Sequence, residues 1–112
     1  MLTTALLIFA IAAIGGLVLA AHVLRNKFAP WALSALHALL GAIGLILLIV
    51  ILVQGNAAQQ ILVGFIILLI AALGGFFLAS FHLRKRLPPK AVVVLHAGLA
   101  IIGFLTLLSL VL

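Results

Sequence analysis

The chain has 112 residues, 70% of them hydrophobic, with six Lys or Arg and no Asp, Glu or Cys. A soluble domain carries about a quarter charged residues, and this one carries 5%, so a water-facing globule is excluded. With no carboxylate there is no acid–base pair for hydrolysis and no ligand for Mg²⁺, and with no cysteine there is no disulfide or thiolate metal site.

Four apolar runs cover nearly the whole chain: residues 2–24, 30–53, 60–83 and 90–112. About 20 apolar residues cross a bilayer as a helix. Lipid offers no partner to backbone polar groups, so such runs must be helical. The in–out alternation of a membrane barrel is missing. The expected fold is an all-α integral membrane protein, a bundle of four transmembrane helices in a single membrane domain.

The first run has no basic residue ahead of it and exceeds the length of a signal-peptide core, so it reads as a retained helix. It carries small residues at four-residue spacing, Ala12, Gly16 and Ala20, the pattern that lets membrane helices approach closely. His22 lies near its end, and Arg25 and Lys27 follow. The second run opens on Pro30, expected in the first helical turn, and on Trp31, expected at the membrane interface. Its His37, Gly41 and Gly44 fall within about 60° of one another at 100° per residue. The connection "QGNAAQQ" has no charge, and Gly55 and Asn56 mark its turn. The third run repeats the small seam as Ala71, Gly75 and Ala79, then reaches His82. Arg84, Lys85, Arg86 and Lys90 surround the next connection. The fourth run follows Pro89 and places His96, Ala100 and Gly103 on one face.

All six basic residues lie in the first and third connections. Excess Lys and Arg mark the cytoplasmic side, so those two loops are expected inside and both termini outside. A bacterial inner membrane is the expected location, and six charges against none argue against dual topology. The basic loops are short and lack interleaved aromatics, so nucleic acid is not an expected partner. Anionic membrane lipid is.

A shift of 59 residues lays "IAAIGG" on "IAALGG", Arg25 on Arg84, Pro30 on Pro89 and "LHA" on "LHA". This reads as a duplicated helical hairpin, with residues 2–53 as the first repeat and 60–112 as the second. A two-helix repeat returns the chain to its starting side, so the copies would be related by a pseudo-two-fold axis along the membrane normal.

That axis would set His37 and His96 at equal depth on opposite sides. Polar residues inside a membrane are rare and usually functional. Two imidazoles facing across a bundle could bind one iron from both sides, each ring anchored through its other nitrogen. The plain alternative is that each donates to a backbone carbonyl or to a hydroxyl such as that of Ser34 and locks packing. His22 and His82 are secondary metal candidates. They also read as interfacial residues reaching toward headgroups, and they sit one position out of register in the repeat. They lie about 5 Å along the helix from His37 and His96, too close for stacked porphyrins. One haem is therefore favoured over two. Arg25 and Arg84 stand where haem propionates would reach, or where lipid phosphates would.

With these residues the chain resembles transmembrane b-type cytochromes, which hold haem between His residues inside a four-helix membrane bundle. The resemblance rests on His37, His96, Gly41, Gly44 and Gly103, with Gly15, Gly16, Gly74 and Gly75 as further clearance for the ring. It implies haem b as cofactor, Arg25 and Arg84 at its edge, and electron transfer to a quinone or a partner protein. It makes the chain an electron carrier rather than an enzyme with its own substrate. Such cytochromes often place haems near both membrane faces, whereas all four His here lie toward one. Helix count also resembles the small multidrug-resistance transporters, but these depend on a membrane-embedded Glu that this chain lacks. Two alternatives remain. One is a non-catalytic membrane subunit docking a larger complex, anionic lipid or a second copy of itself. The other is a metal site made from all four imidazoles.

Overall fold

A computed structural model describes residues 1–112. It is all-helical: α1 Leu2–Leu24, α2 Trp31–Val53, α3 Gln59–Leu83 and α4 Lys90–Leu108. All four helices are long and apolar enough to cross a membrane.

Three boundaries differ from the sequence reading, the smallest being α3, which begins one residue early at Gln59. Pro30 and Pro89 stand one residue before α2 and α4, not in their first turns. Their φ suits a helix, but ψ near 130° is extended. Their carbonyls accept the first helical bonds, from Ser34 N–H and Val93 N–H at 3.2 Å. α4 ends at Leu108, short of residue 112. Its last residues tighten into i→i+3 bonds, Leu110 to Leu107 at 3.1 Å and Val111 to Leu108 at 3.0 Å, as helix ends do when carbonyls run out of partners.

α1 and α3 end in the same way. Asn26 and Lys85 adopt left-handed φ of 61° and 55°. Asn26 N–H bonds Val23 O and Lys27 N–H bonds His22 O, and Lys85 to His82 O and Arg86 to Phe81 O repeat the pair. This is the Schellman closure, and it turns the chain sharply into each basic connection. At the other end Gly55 and Asn56 are both left-handed and close the α2–α3 turn.

α1 lies along α2 and α3 along α4. The two hairpins meet more sparsely, α2 on α3 and α1 on α4, while α1–α3 and α2–α4 are diagonal. The bundle measures 44 × 22 × 20 Å.

The tight packing sits at the end away from the basic connections. Ala5, Leu6, Phe9, Leu48, Ile61, Leu68 and Leu107 form one buried cluster. Glycines set its geometry. Phe9 fills the space above Gly44, Leu107 that above Gly64, and Leu68 that above Gly103. Large side chains seated on missing ones give the interdigitation that truncating a core Leu destroys, at about 2–5 kcal/mol. Gln60 closes this end, its Nε2 donating to the Thr106 carbonyl at 2.7 Å and to Ser109 Oγ.

From Ala12 and Ala71 toward the basic end, burial almost stops: Val93 and the connecting Ala29 are the buried residues there. Outward-facing Ile14, Leu17, Leu73 and Val53 expose more than 60% of their surface. No helix has a polar face of the kind a soluble bundle turns to water.

Candidate functional site

The half with little burial contains all four histidines. His37 leaves α2 toward α1, and its Nδ1–H donates to the Ala12 carbonyl at 2.8 Å. His96 leaves α4 toward α3, and its Nδ1–H donates to the Ala71 carbonyl at 2.6 Å. Donor and acceptor are 25 residues apart in both hairpins. A carbonyl only accepts, so Nδ1 carries the proton and each Nε2 keeps a free lone pair. Neither Nε2 has a hydrogen-bond partner in the chain, and neither is sealed from the surroundings.

Glycine admits both rings. A Cβ on Gly16 would lie 2.8 Å from His37 Cε1, and one on Gly75 would lie 3.0 Å from His96 Cε1. The small-residue seams therefore have a definite task. Gly16 and Gly75 seat an imidazole, and Ala12 and Ala71, four residues earlier on the same face, supply the carbonyls that anchor it.

The two rings then meet across the bundle. Their centroids are 6.3 Å apart and their planes 83° from parallel. One ring comes from each hairpin, and the seam between the hairpins passes between them. Two metal–nitrogen bonds of about 2.0 Å each, with about 1.1 Å from nitrogen to ring centre on either side, would span about 6.2 Å in a straight line.

The glycine groove read along α2 and α4 is only partly present. Gly41 faces open space, but Phe9 and Leu68 occupy the room over Gly44 and Gly103. Those two glycines pack helices, because helix–helix contact is tightest at their end of the bundle. Arg25 and Arg84 are exposed, and each donates Nε–H to the carbonyl four residues back, Ala21 or Ser80, at 3.2 Å. The Arg84 guanidinium also lies 4.7 Å from the Phe81 ring centre.

His22 and His82 do not join the pair, and no group of three or more potential metal ligands forms. The four-imidazole site is therefore not assembled. His22 folds back on its own helix, Nδ1–H donating to the Val18 carbonyl at 2.8 Å. His82 turns to α2, where its Nδ1 hydrogen-bonds Ser34 Oγ at 3.3 Å. Ser34 thus partners His82, not His37.

Around His82 lies a grouping that the helical periodicity did not reveal. Trp31 meets the imidazole edge-on at 5.0 Å and Phe28 lies 6.2 Å away, centre to centre. Phe28, Trp31, His82, Leu83 and Lys85 line an open cavity of about 470 Å³. Trp31 and Ser34 are three apart on one helical face, a signal present in the sequence, but their partner on α3 depends on how the hairpins dock. Comparison with protein-family models, curated proteins and solved structures found no match to the chain.

Proposed function

We propose that this is a compact membrane cytochrome of b type, with haem b held between its two hairpins by His37 and His96. The carrying observation is the imidazole pair: centroids 6.3 Å apart, one ring from each hairpin, both Nδ1 atoms anchored and both Nε2 atoms free. In this reading the hairpins are copies of one duplicated unit inserted in a bacterial inner membrane. The basic connections face the cytoplasm, where positive loops are retained. In this reading a flat macrocycle would lie between the hairpins, which pack sparsely against each other, with Gly41 leaving open space four residues after His37. Arg25 and Arg84, at the basic end, would receive its carboxylates on releasing their helix carbonyls.

Haem held by His37 and His96 would supply a one-electron couple suited to electron transfer more than to oxygen activation. The protein's own contribution is orientation. The Ala12 and Ala71 carbonyls fix each tautomer and raise the basicity of Nε2. The acceptor or donor of the electron would be a quinone or a membrane-associated redox protein. The reading takes one haem over two, since His22 and His82 have partners of their own.

Purified protein from haem-supplemented cells should be red, with a Soret band that shifts on reduction. His37→Ala and His96→Ala should each lose that band, and His22→Ala should keep it. A colourless preparation, or a band that survives both substitutions, removes the reading.

One observation favours a non-catalytic subunit instead. Each imidazole already has a seat and a hydrogen bond, so the pair works as a packing lock without metal. An apolar surface with little internal burial then suits docking against a larger membrane complex or a second copy. Stoichiometric co-purification with a partner, without a cofactor spectrum, distinguishes this case.

A further inference from the structure

We infer that the cavity at the basic end is a binding site for a flat six-membered ring bearing carbonyl oxygens, the chemistry of a quinone headgroup. The inference takes its membrane setting from the reading above and does not depend on haem.

The cavity lies where the hairpins meet. Phe28 and Trp31 come from the first, His82, Leu83 and Lys85 from the second. Its volume of about 470 Å³ falls within the range of small-molecule sites, about 300–1,000 Å³. Two aromatic side chains supply the walls. Both stand against the His82 imidazole, Trp31 edge-on and Phe28 tilted, and an aromatic lining suits a flat ring. A phosphate headgroup would need several converging cations, and Lys85 is the one cation lining the space.

His82 supplies the polar contact. Its Nδ1 is engaged with Ser34 Oγ, and its Nε2 has no hydrogen-bond partner in the chain. The serine hydroxyl can donate or accept. When it donates, Nδ1 is the acceptor and Nε2–H is a donor, matched to a quinone carbonyl. When it accepts, Nδ1 carries the proton and Nε2 is an acceptor, matched to a quinol hydroxyl. A rotation of the hydroxyl, together with a change of imidazole tautomer, thus adapts the site to both forms of the ligand. His37 and His96 lack this freedom, because their partners are carbonyls.

Trp31 is the chain's one tryptophan, and there is no tyrosine, so the ligand would report itself. Wild-type protein in phosphatidylcholine nanodiscs, with and without haem, is titrated with ubiquinone-1 while Trp31 emission is followed. Saturable quenching is expected in both preparations. His82→Leu should weaken it by about three- to tenfold, as loss of one hydrogen bond implies, and Ser34→Ala should weaken it less. Should His82→Leu lose helicity by circular dichroism, wild type is challenged with a prenylated benzene lacking both oxygens, which is expected to compete poorly. Quenching that rises linearly with quinone, equal competition by the oxygen-free ring, or displacement of quinone by phosphatidylglycerol each overturns the assignment. The last would hand the cavity to a lipid phosphate. Loss of quenching with an intact Soret band sinks this site alone, and the reverse result sinks the haem alone.

Discussion

Gly16→Ala tests whether the glycine seam exists to seat an imidazole. The new Cβ would lie 2.8 Å from His37 Cε1, where carbon atoms ordinarily rest at about 3.5 Å. The ring must recede by about 0.7 Å. Its bond to the Ala12 carbonyl is now 2.8 Å and would stretch to about 3.5 Å, beyond useful range. Losing that bond costs about 1 kcal/mol, and overpacking costs about 1–3 kcal/mol. Replacing a helical glycine returns roughly 1 kcal/mol. The expected net loss is about 1–3 kcal/mol. Gly41→Ala is the control, because a Cβ there meets nothing within 4 Å, and it should be neutral or stabilising by up to about 1 kcal/mol. Unfolding by denaturant in detergent micelles, followed by circular dichroism and Trp31 emission, measures the difference. Equal stability of the two variants would refute the seating argument. Gly75→Ala should resemble Gly16→Ala but act more mildly, its closest approach being 3.0 Å.

Other outcomes follow from features remote from the histidine pair. Lys85 holds a left-handed φ of 55° where its counterpart is Asn26, so Lys85→Gly should stabilise by about 0.5–1 kcal/mol in the same micelle assay. Gln60→Ala should cost about 1–2 kcal/mol, having lost donors to Thr106 and Ser109 that join α3 to α4. In spheroplasts, Asn56→Cys should react with an impermeant maleimide added outside, and Lys27→Cys should not. The opposite pattern would invert the proposed orientation.

Helix positions were legible because apolar runs of bilayer length leave little choice, and the two turn types announced themselves through Gly55–Asn56 and through Pro30 and Pro89. The end of α4 at Leu108 was not legible, since Ser109–Leu112 is nearly as apolar as what precedes it. At the site, the shared spacing of His37 and His96 pointed to one level in the bundle, and the structure brings the rings together. Their anchors, Ala12 and Ala71, have no side-chain chemistry to advertise them. Gly44 and Gly103 looked like ligand clearance because a glycine's vacant volume does not say what fills it, and Phe9 and Leu68 do. His82 lay beyond reach for a related reason. Its one-position offset from His22 shows only that the two differ, while Trp31 and Ser34 become its neighbours through the way one hairpin leans on the other.

The cluster of Phe9, Leu48, Leu68 and Leu107 gives the molecule a pivot. Closely fitted side chains fasten the hairpins at that extremity, whereas at the other, one Ser34–His82 hydrogen bond and the ring contacts of His82 and of the His37–His96 pair cross between them, so that end is expected to part first, like tongs. A bulky guest would then enter from the loop side of a folded protein. Amide exchange should be slowest around Leu48 and Leu107 and should decay toward Trp31 and His82, and a guest caught between the arms should slow the open end most.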